Sequence, residues 1–201
     1  CGDSGGTVGG MVAAGLAGPA RAAVGGVRDY VLGATLLNGR GEVLSFGGQV
    51  MKNVAGYDVS RVLAGSMGVL GVICEVSLKV LPVAPATLTL RFDIDQANAL
   101  RRLNEWAGEP LPLNASVWWD ETLVVRLSGA QAAVAAAAKR LGGEAIGAEL
   151  ASRFWEGLRD QRDDFFLTAH RAVAEQGATL WRLSVAASAP RIALDGDQML
   201  E

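Results

Sequence analysis

The sequence predicts an α+β protein in two parts, and three observations carry that expectation. From Val72 to Leu81 apolar and polar residues alternate, as in a strand with one buried face. Pro82 and Pro85 then interrupt the pattern, because proline cannot donate to a sheet ladder. Beyond them the patterns run strand, helix, strand, strand, helix, strand, the ferredoxin-like order in which two helices cover one face of an antiparallel sheet. The boundary is placed in Leu81-Pro82-Val83-Ala84-Pro85, giving a first domain over 1–82 and a second over 86–201.

The first part opens on a Gly/Ala-rich stretch, residues 5–19, with almost no charge. Such a run reads as a tight loop whose successive amides can form a concave nest for an anion such as a pyrophosphate. Residues 27–37 read as a strand, with Tyr30, Leu32, Ala34 and Leu36 on one face and Val31, Gly33, Thr35 and Leu37 on the other. Asn38-Gly39 is a hairpin signal, since both residues tolerate positive φ. Glu42 to Phe46 is the return strand, ended by Gly47-Gly48. Asp58 is placed to cap a short helix that buries Val59, Val62 and Leu63. Lys52 reads as a surface lysine or as an ammonium facing a bound anion, and Tyr57 as a core aromatic. In the strand that follows, Val72, Cys74, Val76, Leu78 and Val80 share the buried face, opposite Glu75, Ser77 and Lys79.

In the second part Leu88, Leu90, Phe92 and Ile94 alternate with Thr87, Thr89, Arg91 and Asp93. Asp95 caps a helix with Ala99, Leu100, Leu103 and Trp106 on one stripe, stopped by Gly108. Ala115 to Trp119 and Thr122 to Ser128 form a hairpin about Asp120-Glu121. Ser128 is expected to cap the Ala-rich helix that ends at Gly142-Gly143, and Glu144 to Gly147 makes a short strand. A third helix over 148–161 turns Leu150, Phe154, Trp155 and Leu158 inward. Asp160 to Asp164 is a solvated charge run, Leu180 to Ala186 a further strand, and 193–201 an aperiodic tail.

Of 201 residues half are hydrophobic and 19% charged, so the chain can bury a sizeable core. The formal net charge is −3 and no basic stripe is present, which argues against nucleic acid as a partner. Two cysteines, Cys1 and Cys74, make a disulfide framework unexpected and fit a reducing cytoplasmic setting. No metal-ligand spacing is present, and the single histidine, His170, has no visible companion. Neither a signal peptide nor a transmembrane span is apparent. The start inside a glycine pattern, without Met, reads as that of a fragment.

The usual catalytic constellations are missing. There is no GxSxG elbow, Cys–His pair, HExxH helix or Walker A lysine, and the glycines at 5–10 do not meet the Rossmann fingerprint. Chemistry must therefore come from a bound cofactor, or the chain performs none.

Four stretches carry a resemblance: TVGGMVAAGLAGP (7–19), VRDYVLGATLLNGRGEVLSFGG (27–48), VMKNVAGYDVSRVLAGSMGVLGVICEVSLKVLP (50–82) and, less closely, GATLWRLSV (177–185). They resemble the FAD-binding proteins of the vanillyl-alcohol oxidase and p-cresol methylhydroxylase (PCMH) type, and among these the FAD-binding subunits of bacterial glycolate oxidases. The resemblance implies the C-terminal half of a PCMH-type FAD-binding domain followed by a ferredoxin-like domain. It implies FAD as cofactor, with Thr7, Gly9, Gly10, Ala14 and Gly15 at the pyrophosphate and flavin end. Gly71, Val72 and Ile73 would offer backbone to the adenosine side. FAD in this family is clasped between two half-domains, so the fragment alone is expected to hold it poorly and to be inactive. The implied reaction is oxidation of glycolate or a similar 2-hydroxy acid to the 2-oxo acid. The implied partners are a second FAD subunit and an iron–sulfur subunit, with any membrane association peripheral and made through them. The alternative is a non-catalytic assembly subunit with an incomplete flavin site, which the lack of the family's late His-rich motif favours.

Overall fold

Short runs of Val, Leu and Ile separated by glycine set the first sheet. A computed structural model describes residues 5–48 and 56–201, and the chain divides into two compact units, Cys1–Val83 and Ala84–Glu201. In the first unit β1 (Val31–Leu37) is the central strand of three, flanked antiparallel by β2 (Val43–Gly47) and β3 (Val72–Leu78). Ala34 and Leu36 of β1 form its small core with Leu63, and Phe46, Ile73 and Val76 pack against them. Three short helices accompany the sheet: α1 (Val8–Ala14), α2 (Arg21–Val24) and α3 (Val59–Val62).

Several expectations change here. The Gly/Ala run is not a loop or nest but contains α1, capped by Thr7, whose hydroxyl accepts from the Gly10 amide at 3.0 Å. Gly9 and Gly10 are weak helix formers, so the cap and tertiary contacts must hold this single helix. Val27–Tyr30 is a 3-10 turn rather than the start of a strand; the Tyr30 hydroxyl donates to the Val24 carbonyl at 2.9 Å. The β1–β2 connection is longer than an Asn-Gly turn. Asn38 Oδ1 accepts from the amides of Arg40 and Glu42, and the left-handed residue is Gly41, at φ +77°.

The two sides of β3 also differ from strict alternation. Thr35 pairs with Glu75 and Leu36 with Ile73, so Cys74 is the extra residue of a bulge. The bulge shifts the parity: Ile73 and Val76 face the core, while Val72 and Cys74 are exposed. Asp58 does cap α3, accepting from the Arg61 amide, but Ser60 and Leu63 are the buried residues and Val62 is exposed. Tyr57, expected in the core, is 97% exposed. Lys52 lies outside the described residues.

The second unit is a four-stranded antiparallel sheet made of β4 (Ala86–Asp93), β5 (Leu113–Trp119), β6 (Thr122–Gly129) and β7 (Glu144–Ile146). Their order across the sheet is β5-β6-β4-β7. This is the ferredoxin-like arrangement. On one face α4 (Gln96–Ala107) and α5 (Gln131–Leu141) bury Ala99, Trp106, Val134 and Ala137 against Leu90, Phe92, Trp118, Leu123, Val125 and Leu127. Asp95 caps α4, and the Asn98 amide holds its carboxyl below the usual carboxylate range. Ser128 does not cap α5; it lies in β6 with its hydroxyl 3.3 Å from that of Thr87, and Ala130 occupies the cap position. Asp120 and Glu121 form the β5–β6 turn, both with positive φ.

The opposite face is covered as well. Helix α6 (Ala148–Arg159) places Ala151, Trp155 and Leu158 on Ala115, Val117 and Val124. Thr89, on the polar side of its strand by pattern, is therefore buried and accepts from Trp155 Nε1 at 3.0 Å. Leu150, expected inward on α6, is 65% exposed. A helix not anticipated, α7 (Asp164–Gln176), follows, with Asp163 of the supposed charge run as its cap. Leu180 to Ala186 forms no strand; the regular structure of the tail is a bridge between Leu200 and Trp118. Among the described residues no helix is long and apolar enough to cross a membrane.

Candidate functional site

Sequence places two glycine-bearing segments, 7–15 and 65–75, far apart along the chain. The fold joins them by backbone. The Gly65 amide donates to the Val12 carbonyl at 3.0 Å, and the Met67 amide to the Ala13 carbonyl at 2.8 Å. Gly15 ends α1 in the left-handed conformation, at φ +64°, and a Cβ there would stand 3.0 Å from the Gly65 Cα. Only glycine meets both conditions without strain. Val12, whose carbonyl anchors this junction, is fully buried.

The predicted residues fall around that junction. Thr7 is the α1 cap, Gly9 and Gly10 lie in its first turn, and Ala14 and Gly15 close it. Gly71 immediately precedes β3, and Val72 and Ile73 open it. The two groups touch: a Cβ built on Gly9 would lie 3.8 Å from the Ile73 carbonyl oxygen. Thr7, Gly10, Ala14, Gly15 and Val72 are exposed, and Ile73 is half-buried. Val8, Leu16, Met67, Val69, Leu70 and Val72 add a largely exposed apolar surface around them.

Some of the glycines have an internal reason to be glycine. A Cβ on Gly10 would press on the Thr7 hydroxyl at 2.9 Å, and Gly71, at φ +141°, lies directly against the Leu37 carbonyl. Gly9 has no such reason: its backbone is helical, and a Cβ there would make only an ordinary contact with the Ile73 carbonyl oxygen. The amides of Val8 and Gly9 also have no acceptor within the helix, as at any helix start. The signal for the junction lies in Ala13, Gly65 and Met67, and Met67 carries φ +53°, unusual for a residue with a side chain.

Elsewhere the second unit has an open recess of about 480 Å³ lined by Asp93, Ile94, Asp95, Asn98 and Glu121. Two of its three carboxylates are engaged, Asp93 with Arg91 at 2.9 Å and Asp95 as the α4 cap. Among the described residues no cluster of His, Cys, Asp and Glu could hold a metal ion, and His170 is exposed on α7.

No protein-family model matches the sequence. Glycolate oxidase subunit GlcE of Escherichia coli (strain K12) is 46% identical over 195 residues, which are 97% of this chain and 52% of that protein. The chain is similar to the glycolate oxidase subunits. It spans about half the length of GlcE. A D-lactate dehydrogenase of Anaerostipes hadrus is 30% identical over 86% of the chain and 36% of its own length. Glycolate oxidase subunit GlcD of Bacillus subtilis (strain 168) is 36% identical over 84 residues, 42% of the chain and 18% of its own length. Among solved structures, alkyldihydroxyacetonephosphate synthase matches with a TM-score of 0.56 at 18% identity, over 80% of this chain and 39% of that one. That match speaks for a shared fold. The kinship expected from the four sequence stretches is borne out by the GlcE and GlcD matches.

Proposed function

We propose that the chain belongs to a flavin-dependent oxidoreductase that converts glycolate or a similar 2-hydroxy acid into the 2-oxo acid, and that its first unit supplies part of the FAD site. The observation that carries this reading is the junction of α1 with the 65–73 segment, which puts the two groups of candidate residues side by side, with Thr7, Gly10, Ala14, Gly15 and Val72 exposed among small and apolar residues. Gly9 is the sharpest feature of that patch, because the packing of the unit does not require its missing side chain. A flat dinucleotide pressing on the patch would. When bound, FAD would accept the hydride from the substrate α-carbon; the chain's part is to hold and orient it. The similarity to GlcE supports the substrate class, and GlcE and GlcD, being named as subunits, support a multi-subunit assembly; the partners proposed for it are a second flavin subunit and an iron–sulfur subunit. A cytoplasmic location, with contact to the membrane only through partners, agrees with this assembly.

A second reading is favoured by Gly10, Gly15 and Gly71, whose glycine identity is explained by internal packing. In it the fold persists as an assembly scaffold without a working flavin site. Flavin content separates the two. The protein purified with its partner subunits is expected to carry flavin in the proportion due to this chain, and Gly9→Val is expected to lose that share while assembling normally. Unchanged flavin and turnover in Gly9→Val would favour the scaffold.

A further inference from the structure

Arg126 occupies the middle of β6, on the face that α6 covers, between the buried Val124 and Ser128. Its guanidinium is fixed on two sides. Nε donates to Asn114 Oδ1 at 2.6 Å, and the guanidinium carbon lies over the Trp155 ring, 4.7 Å from its centroid. Trp155 is itself anchored by its hydrogen bond to the buried Thr89 hydroxyl. Among the described residues Arg126 makes no ion pair, and its two terminal nitrogens make no hydrogen bond. Neither is among the buried unpartnered atoms, so both reach solvent. Burial lowers the guanidinium pKa, and no neighbouring acid opposes it.

A half-buried cation without a counter-charge carries a desolvation cost that an anion would offset. The accessible part of this one is the planar pair of terminal N–H groups, which matches a carboxylate in two parallel bonds. Two residues along the same face, about 7 Å away at the usual strand rise, Ser128 stands opposite Thr87 with their hydroxyls 3.3 Å apart. That pair can both donate to and accept from a hydroxyl group. We propose that the Arg126 fork, with the Thr87 and Ser128 hydroxyls beside it, binds a small organic carboxylate. The choice of a 2-hydroxy acid as probe rests on the function proposed above; the site itself does not require flavin.

The test is a glycolate titration of the full 201-residue chain, followed by ¹H–¹⁵N NMR at constant ionic strength without added flavin. A saturable shift is expected at the Arg126 Nε–H and at the amides of Thr87, Arg126 and Ser128, with a dissociation constant on the order of millimolar. Arg126→Gln should weaken binding at least about tenfold with an otherwise unchanged spectrum. Should that variant not fold, Arg126→Lys decides, since it keeps the charge, loses the fork and should also weaken binding about tenfold. The proposal is overturned by shifts that do not saturate, by equal binding to either variant, or by inorganic phosphate or chloride producing the same shifts at the same concentration. Because no flavin is present, failure here leaves the flavin reading standing, and a chain that binds no flavin can still pass.

Discussion

The fold and the proposed flavin site make different demands on Gly9. Its φ is helical, and the nearest atom to an added Cβ is an ordinary 3.8 Å away. Gly9→Ala is therefore expected to stabilise the first unit by about 0.5 kcal/mol, read as a higher urea midpoint, because alanine loses less backbone entropy in a helix. Asp163 offers a second test. It caps α7 through the Phe166 amide, yet burial raises its carboxyl pKa above the ordinary range. A carboxyl with a raised folded-state pKa contributes stability that is complete below its unfolded pKa and lost as pH rises through the folded one. Asn caps about as well as Asp and cannot ionise. Asp163→Asn should thus be more stable than the parent at neutral pH, with the difference closing in acid, and thermal melts across that range would show it. A gap that widens on acidification would mean that the Asp163 charge helps the fold.

Among the elements, α6 shows how a contact invisible to periodicity decides a strand's environment. Thr89 reads as a solvent-side residue of β4, but Trp155 buries it and donates to it. Trp155→Phe keeps an aromatic ring but strands the Thr89 hydroxyl, at a cost of about 1–3 kcal/mol. Adding Thr89→Val to that variant should recover part of the loss in denaturant melts; no recovery would mean that the hydrogen bond is not what the tryptophan supplies. The same distinction explains which elements sequence reveals. β4, α4, the β5–β6 hairpin and α5 follow from alternation and stripe because each has one partner face. The β3 parity does not follow, since the Cys74 bulge is a property of pairing with β1. Helix α7 was legible in part, because Asp163 followed by Phe165, Phe166, Ala169 and Ala172 is a cap and an inward stripe, obscured by the charges before it. Leu180 to Ala186 alternates well but lacks a strand to pair with among the described residues, and a pattern cannot create its own hydrogen-bond partner.

For the whole molecule, the ferredoxin-like core of the second unit was readable from local patterns, whereas the candidate site was not. Its residues could be named from a resemblance, but their meeting depends on Gly65 and Met67 reaching the Val12 and Ala13 carbonyls, a non-local event. The nest expected of the glycine run proved to be a capped helix, because Thr7 offers the Gly10 amide an acceptor that a loop would have left to a ligand. The similarity to GlcE extends over nearly the whole chain, while the chain covers 52% of GlcE, and the function proposed above assigns the chain to a larger assembly than the two units described. Hydrogen exchange of that assembly with and without FAD is the most direct test of the central claim. The account predicts that FAD slows exchange at the amides of 7–15 and 71–73. Unchanged exchange in both segments, in an assembly that demonstrably holds FAD, would contradict it.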